Sequence, residues 1–283
     1  RAASVVMAMI VAIISTQVFA SFFDIDLSSS SYFKSNINYF AIILGGALFG
    51  AGMMIADGCS SRSIVKFAQG DANALVTLLF IAIFAFASTK GILFGVVNGF
   101  INNQFMIDIS SNLSNFTLNI YFVLAILVLL LAYFVKKVKR VFSLYDGVII
   151  GFLVGLSWFI SGYIGAESIE KEIQVQALSY VYPSAKTLEF FTFFEITELS
   201  IGVCIVLGAI FGAYFSTFFN KKYSFGCTSK MNFNKLKYNM IGGSMMGIGG
   251  IMAIGCTVGQ GLSGISTLVF SSFLAIISIG ASG

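Results

Sequence analysis

The chain has 283 residues, 58% apolar and 10% charged, against roughly 45–50% and about 25% in ordinary soluble domains. That composition places it in lipid and excludes a soluble enzyme or a nucleic-acid binder. Its formal charge of +4 comes with no histidine, which removes the imidazole base and any mixed His/Cys zinc or haem site.

About 20 apolar residues rising 1.5 Å each cross a hydrocarbon core of about 30 Å. Eight stretches meet that length: 2–23, 39–58, 72–97, 118–135, 146–165, 199–219, 238–256 and 262–282. The fold class is therefore an all-α integral membrane protein, expected as a single membrane domain over 1–283. The first stretch reads as a full span and not as a cleaved leader. Because the chain opens on Arg1, a segment upstream of it is expected.

Basic residues assign the sides. Arg1, the loop with Arg62 and Lys66, the run Lys136-Lys137-Val138-Lys139-Arg140, and the loop with Lys221, Lys222, Lys230, Lys235 and Lys237 gather twelve of the sixteen cations on one side. The positive-inside rule makes that side the cytoplasm, with both observed ends on it. The opposite loops hold Lys34, Lys171 and Lys186 among Asp24, Asp26, Asp108, Glu167, Glu170, Glu172, Glu189, Glu195 and Glu198. Lys90, inside the third stretch, has no assigned side.

An internal repeat carries most of the functional information. Residues 45–64, GGALFGAGMMIADGCSSRSI, align without a gap on residues 242–261, GGSMMGIGGIMAIGCTVGQG, at an offset of 197. Seven positions are identical: Gly45/Gly242, Gly46/Gly243, Gly50/Gly247, Gly52/Gly249, Ala56/Ala253, Gly58/Gly255 and Cys59/Cys256. The same offset lays the first span on the sixth and the second on the seventh, and a shorter following loop is expected to bring the third onto the eighth. This divides the chain into repeat one (1–97), connecting helices and loops (98–198) and repeat two (199–283). Equivalent spans lie five apart, an odd number, so the two copies are inverted in the membrane, as in many transporters.

The glycines before each cysteine sit at helical intervals suited to close helix packing. Gly58-Cys59-Ser60-Ser61 and Gly255-Cys256-Thr257-Val258-Gly259-Gln260-Gly261 read as helix breaks followed by capping hydroxyls. Irregular backbone at membrane depth is tolerated only when buried in protein or lining a polar cavity, so a pathway lined by both repeats is expected. Its free N–H groups and helix-dipole ends suit an anion. Ser61, Thr257 and Gln260 are candidates for contact with substrate oxygens or for local capping. Arg62 either draws substrate to the cytoplasmic mouth or anchors the interface by snorkelling. Asp57, beside the first motif, has Ile254 as its counterpart and is no symmetric element of a pathway. Cys204 reads as packing and Cys227 as an incidental thiol in a basic loop; no CxxC spacing occurs, and no cofactor or metal is expected.

At these residues the chain resembles the YeeE/YedE family of bacterial inner-membrane sulfur-compound transporters, which includes thiosulfate carriers. The likeness covers most of the chain. Its specific carriers are Gly45 through Ala68 and Gly242 through Leu268, with support from Pro183 through Gly212. The family typically has a further cysteine near its N-terminus, a region outside this chain. The resemblance implies a multi-pass protein of the bacterial inner membrane that imports thiosulfate or a related sulfur anion past Cys59 and Cys256. From the residues themselves, Gly58, Gly255, Ser61, Arg62, Thr257 and Gln260 are the further candidate substrate-binding positions beside that path.

The chemistry fits thiols. Thiosulfate is a dianion with one soft terminal sulfur, which weak S–H donors solvate in part without holding it tightly. A thiolate would repel the dianion and attack its sulfur–sulfur bond. The sequence contains no GxxxxGK[ST] nucleotide loop, so any driving force comes from gradients or downstream consumption. The competing reading is a persulfide relay that hands sulfur to a cytoplasmic sulfurtransferase-type partner; a channel for small neutral solutes is a third. Selenium analogues are further candidate substrates.

Overall fold

The computed structural model describes residues 2–23, 25, 27, 30–33, 38–102, 125–126, 128–129, 132–133, 142–165, 175–193, 200–219 and 233–283. Every helix or strand element among them is helical. Among the described residues five helical stretches are long and apolar enough to cross a membrane: Ala3–Phe23, Tyr39–Ala68, Ala72–Thr89, Leu144–Tyr163 and Ile201–Phe219. The protein is a multi-pass membrane protein. Most of the expected 118–135 span, the basic run at 136–140, Cys227 and most of the acidic loops lie outside the described residues.

The chain forms two compact units. The first comprises Arg1–Ile37, Ile107–Leu178 and Gly259–Phe273. Its frame is α1 (Ala2–Phe23) crossing α6 (Phe142–Phe159). Gly147, Gly151 and Gly155 recur every four residues and place the α6 backbone directly on α1; Ser15 Oγ donates to the Gly151 carbonyl at 3.2 Å. Two π-helical segments follow, Ile160–Ile164 and Gly259–Gly264. A π turn misaligns carbonyls that lipid cannot solvate. Here side chains satisfy several of them: Tyr32 Oη donates to the Gly259 carbonyl at 3.1 Å and Ser266 Oγ to that of Ser263 at 2.7 Å. Just past the segment, Gln17 Nε2 reaches the Ser266 carbonyl at 3.2 Å. Trp158, fully buried, donates from Nε1 to Ser266 Oγ at 3.1 Å and is a core residue.

The second unit comprises Asn38–Met106, Ser179–Val258 and Leu274–Gly283. It contains α2 (Tyr39–Ile55), α3 (Ser60–Ala68), α4 (Ala72–Thr89), α5 (Phe94–Asn102), α7 (Val181–Phe193), α8 (Ile201–Phe219) and α9 (Phe233–Met252). It also takes α10 (Phe270–Ser282) from Leu274 on. Asn38 caps α2, accepting from the Phe40 amide at 3.0 Å, and Asp71 caps α4 through the Asn73 amide at 3.0 Å. Exposed phenylalanines on α8, including Phe211, Phe215, Phe218 and Phe219, give it a lipid-compatible outer face.

At the centre α2 and α9 cross in opposite directions at backbone contact. A Cβ on Gly45 would lie 2.9 Å from the Gly249 carbonyl oxygen, and one on Gly249 would lie 2.6 Å from that of Gly45. Gly52 and Gly242 repeat the arrangement at 2.7 Å in both directions. The second pair is the first carried through the 197-residue offset, which is the signature of an inverted two-fold. The flanks obey it too. Gly46 packs on Ser278 and Ala275 of α10, whereas its counterpart Gly243 packs on Thr77 and Phe80 of α4. Ser278 Oγ locks the first contact by donating to the Ile43 carbonyl at 2.6 Å.

Three details differ from the sequence expectation. The third stretch is two helices, because Lys90 through Leu93 interrupt it with a turn. The loop preceding α10 is not shorter than its counterpart: α4 starts at Ala72 and α10 at Phe270, so repeat two has one residue more. The last stretch begins as a π segment, leaving α10 only 13 residues long.

Because four glycines set the α2–α9 approach, Gly249→Ala is expected to lower stability by about 1–3 kcal/mol through overpacking. Thermal unfolding in detergent checks this, with Gly280→Ala, where no heavy atom stands within 4 Å of the added carbon, as the unaffected control.

Candidate functional site

Each central helix ends in the same way immediately before its cysteine. After α2, Asp57 takes a left-handed conformation at φ 57° and the Gly58 amide donates back to the Met53 carbonyl at 3.0 Å. After α9, Ile254 takes the same φ of 57° and the Gly255 amide donates back to the Gly250 carbonyl at 2.8 Å. Both are six-to-one closures of a helix C-terminus. A β-branched residue in that region is strained, and its presence at Ile254 shows that the closure overrides local preference. Gly58 itself stands at φ 155°, where a side chain would also crowd the Arg62 stem. Lys66 supports the first break by donating to the Asp57 carbonyl at 3.0 Å and pairing with its carboxylate at 3.2 Å. Asp57 is thus a cap on an exposed turn.

The closures deliver the two thiols to corresponding places. Cys59 is the N-cap residue of α3, with its Sγ 3.1 Å from Ser61 Oγ. Cys256 is 1% exposed and joins a core cluster with Phe49, Ala56, Ala85, Val181, Ala185 and Met246. Arg62 is exposed, with its stem over Gly58. Thr257 Oγ1 is buried without a hydrogen-bond partner among the described residues. Its repeat counterpart is Ser60, 1% exposed and equally unpartnered. Sequence reading selected Ser61 and missed Ser60, although the offset that pairs the cysteines also pairs Ser60 with Thr257. Gln260 belongs to the first unit, buried in its π segment. Cys204 is exposed on α8, so it is not a core packing residue.

Two further features involve residues of the connecting segment 98–198. Tyr180, immediately before α7, packs against the buried apolar cluster that contains Cys256. A cavity of about 260 Å³ is lined by Ser88, Thr89, Lys90, Asn98, Tyr182 and Lys186, among others. Its lining also includes Ala185 and Ile251, which pack in or on the Cys256 cluster. Lys90 therefore sits with Lys186, both paired to Glu189, with Lys186 at 3.1 Å. Burial pushes the Glu189 carboxyl up, but hydrogen bonds and charge from Lys90 and Lys186 outweigh it and hold the group below its ordinary value.

An antiparallel pair of related helices, each closed in a corresponding way just before a cysteine, defines the class: a multi-pass membrane protein of inverted-repeat type. The chain belongs to the sulphur transport family, whose model matches residues 1–283. It is similar to the thiosulfate transporter TsuA of Escherichia coli K12, 20% identical over 291 residues, covering 93% of this chain and 78% of that protein. It is also similar to the thiosulfate transporter TsuA of Spirochaeta thermophila, 26% identical over 285 residues, covering 85% of this chain and 74% of that protein.

A carboxylate held below its usual value adds stability that is present above its unfolded pKa and lost as pH falls through the folded one. Glu189→Gln is therefore expected to cost under about 1 kcal/mol at neutral pH, since Lys90 is half exposed. The difference from the parent should vanish below the ordinary glutamate range, as read by thermal unfolding across pH.

Proposed function

We infer that this protein imports thiosulfate, or a closely related reduced sulfur anion, across the bacterial inner membrane along a path lined by Cys59 and Cys256. The observation that carries the reading is the repeated break itself. Two helices related by the inverted repeat end in identical closures, each followed at once by Gly-Cys and a buried, unpartnered hydroxyl. Neutral thiols give the soft sulfur of the anion weak donors, while Ser60 and Thr257 offer donors to its oxygens. Weak sites in series permit release, which a carrier requires and a tight receptor does not.

The cavity bearing Lys90 and Lys186 is the outer mouth in this reading, and its cations concentrate anions above the Cys256 cluster. The basic loops face the cytoplasm, with both observed ends on that side. No bond to the substrate is made or broken, so the protein acts as a carrier and not as an enzyme. The names of the relatives support thiosulfate as the cargo.

Radiolabelled thiosulfate uptake in cells lacking other routes for this anion tests the reading at matched membrane abundance. Cys59→Ser and Cys256→Ser are each expected to reduce uptake about tenfold or more, and Cys204→Ser to leave it at the parental level. Full parental uptake in both of the first two variants would remove the thiol path.

A further inference from the structure

Among the described residues, the cavity bounded by α4, α5 and α7 is lined by three charged side chains, Lys90, Lys186 and Glu189. They form a single cluster. Lys90 Nζ pairs with Glu189 Oε1, and Lys186 Nζ pairs with Oε2 at 3.1 Å, so each carboxylate oxygen rests on its own ammonium. Two hydroxyls of the same lining are committed to their helix: Ser88 Oγ donates to the Phe84 carbonyl at 2.7 Å and Thr89 Oγ1 to that of Phe86 at 3.1 Å. The two ammonium groups are therefore the strong donors that the cavity offers an anion.

A carboxylate that spans two ammonium groups marks a place where an oxyanion fits. Here the chain itself supplies the occupant, from a helix 99 residues beyond Lys90. The hold is a loose one. Ion pairs at partly exposed positions are weak, and the Lys90 side chain is half exposed. A dianion brings two charges to cations that Glu189 meets with one. At about 30 Å³ per water, the volume of about 260 Å³ has room for a small tetrahedral anion with part of its hydration shell. The rest of the lining is largely apolar, with Phe94, Val97 and Ile101 from α5 and Ile251 from α9. Such a surface suits the soft, weakly hydrated sulfur of thiosulfate, while the lysines suit its oxygens.

Resting on the transport reading above, we propose that this cavity is the entry subsite for the divalent sulfur oxyanion and that Glu189 is its built-in competitor. The carboxylate occupies Lys90 and Lys186 until the anion takes its place, and it retakes them when the anion moves on. Ala185 and Ile251 belong both to this lining and to the packing of the Cys256 cluster, so the next station is adjacent. A competitor tethered in the same chain keeps the subsite weak without removing its charge, and so favours onward release over trapping.

The test measures KM and Vmax for labelled thiosulfate uptake by the full-length protein at matched membrane abundance. Glu189→Gln removes the competitor and is expected to lower KM about threefold to tenfold, the value of a pair of partly exposed ion pairs. Lys186→Gln is expected to raise KM about tenfold, as for loss of a charge-assisted hydrogen bond, and Lys186→Arg to stay within about twofold of the parent. A raised or parental KM in Glu189→Gln, or a parental KM in Lys186→Gln, would overturn the proposal. The double variant Lys90→Gln/Lys186→Gln then separates competition from simple repulsion. With no cations to occupy, adding Glu189→Gln to it should change KM by less than about twofold, and the full gain persisting there would overturn the competitor role. Cys59→Ser and Cys256→Ser run alongside keep the claims apart. Parental uptake in both overturns the thiol path, whereas loss of uptake in both with unaltered KM in the cavity variants overturns the entry subsite alone.

Discussion

Two helices can touch backbone to backbone only where neither carries a side chain at the crossing. In this protein Gly45 meets Gly249 and Gly52 meets Gly242, and the remainder of the second unit is arranged around that contact. Because the residues of each pair come from opposite copies of the repeat, one set of sequence positions is used twice. The crossing fixes where α2 and α9 end. Their ends fix where the two cysteines emerge, and the flanking glycines seat α10 and α4 on the outer sides by the same rule.

Ending a helix inside a membrane leaves carbonyls that lipid cannot satisfy. The protein answers with the same closure at both breaks, through Gly58 and Gly255, and tolerates a left-handed isoleucine at one of them. Strain of this kind persists where surrounding structure over-determines it. Irregular backbone beside a thiol and a buried hydroxyl without a partner among the described residues gives a small polar locus at each break. That suits an anion that must be solvated in passing and then let go.

The repeat was legible because glycine and cysteine have few substitutes at such positions: backbone contact, the final turn of the closure and a soft donor each restrict the residue type. The periodic apolar spans were legible for the usual reason that lipid demands length. Contributions from outside the repeat were not. Helix α7 has 13 residues with Lys186 and Glu189 in it, so it reads as a polar connection, and only its packing against α4, α8 and α9 shows its role. Lys90 had no side until the chain brought Glu189 to it from 99 residues away. The π segments escaped as well, since their backbone depends on non-local donors such as Tyr32.

The central claim is the proposal that both Gly-Cys breaks line one substrate path. Alkylation rates of the individual cysteines in membrane vesicles, read by mass spectrometry over a thiosulfate titration, test it most directly. The account predicts that Cys59 and Cys256 are both protected as thiosulfate rises, while Cys204 reacts at an unchanged rate. Protection of neither thiol, or of one with the other indifferent to substrate, would contradict it.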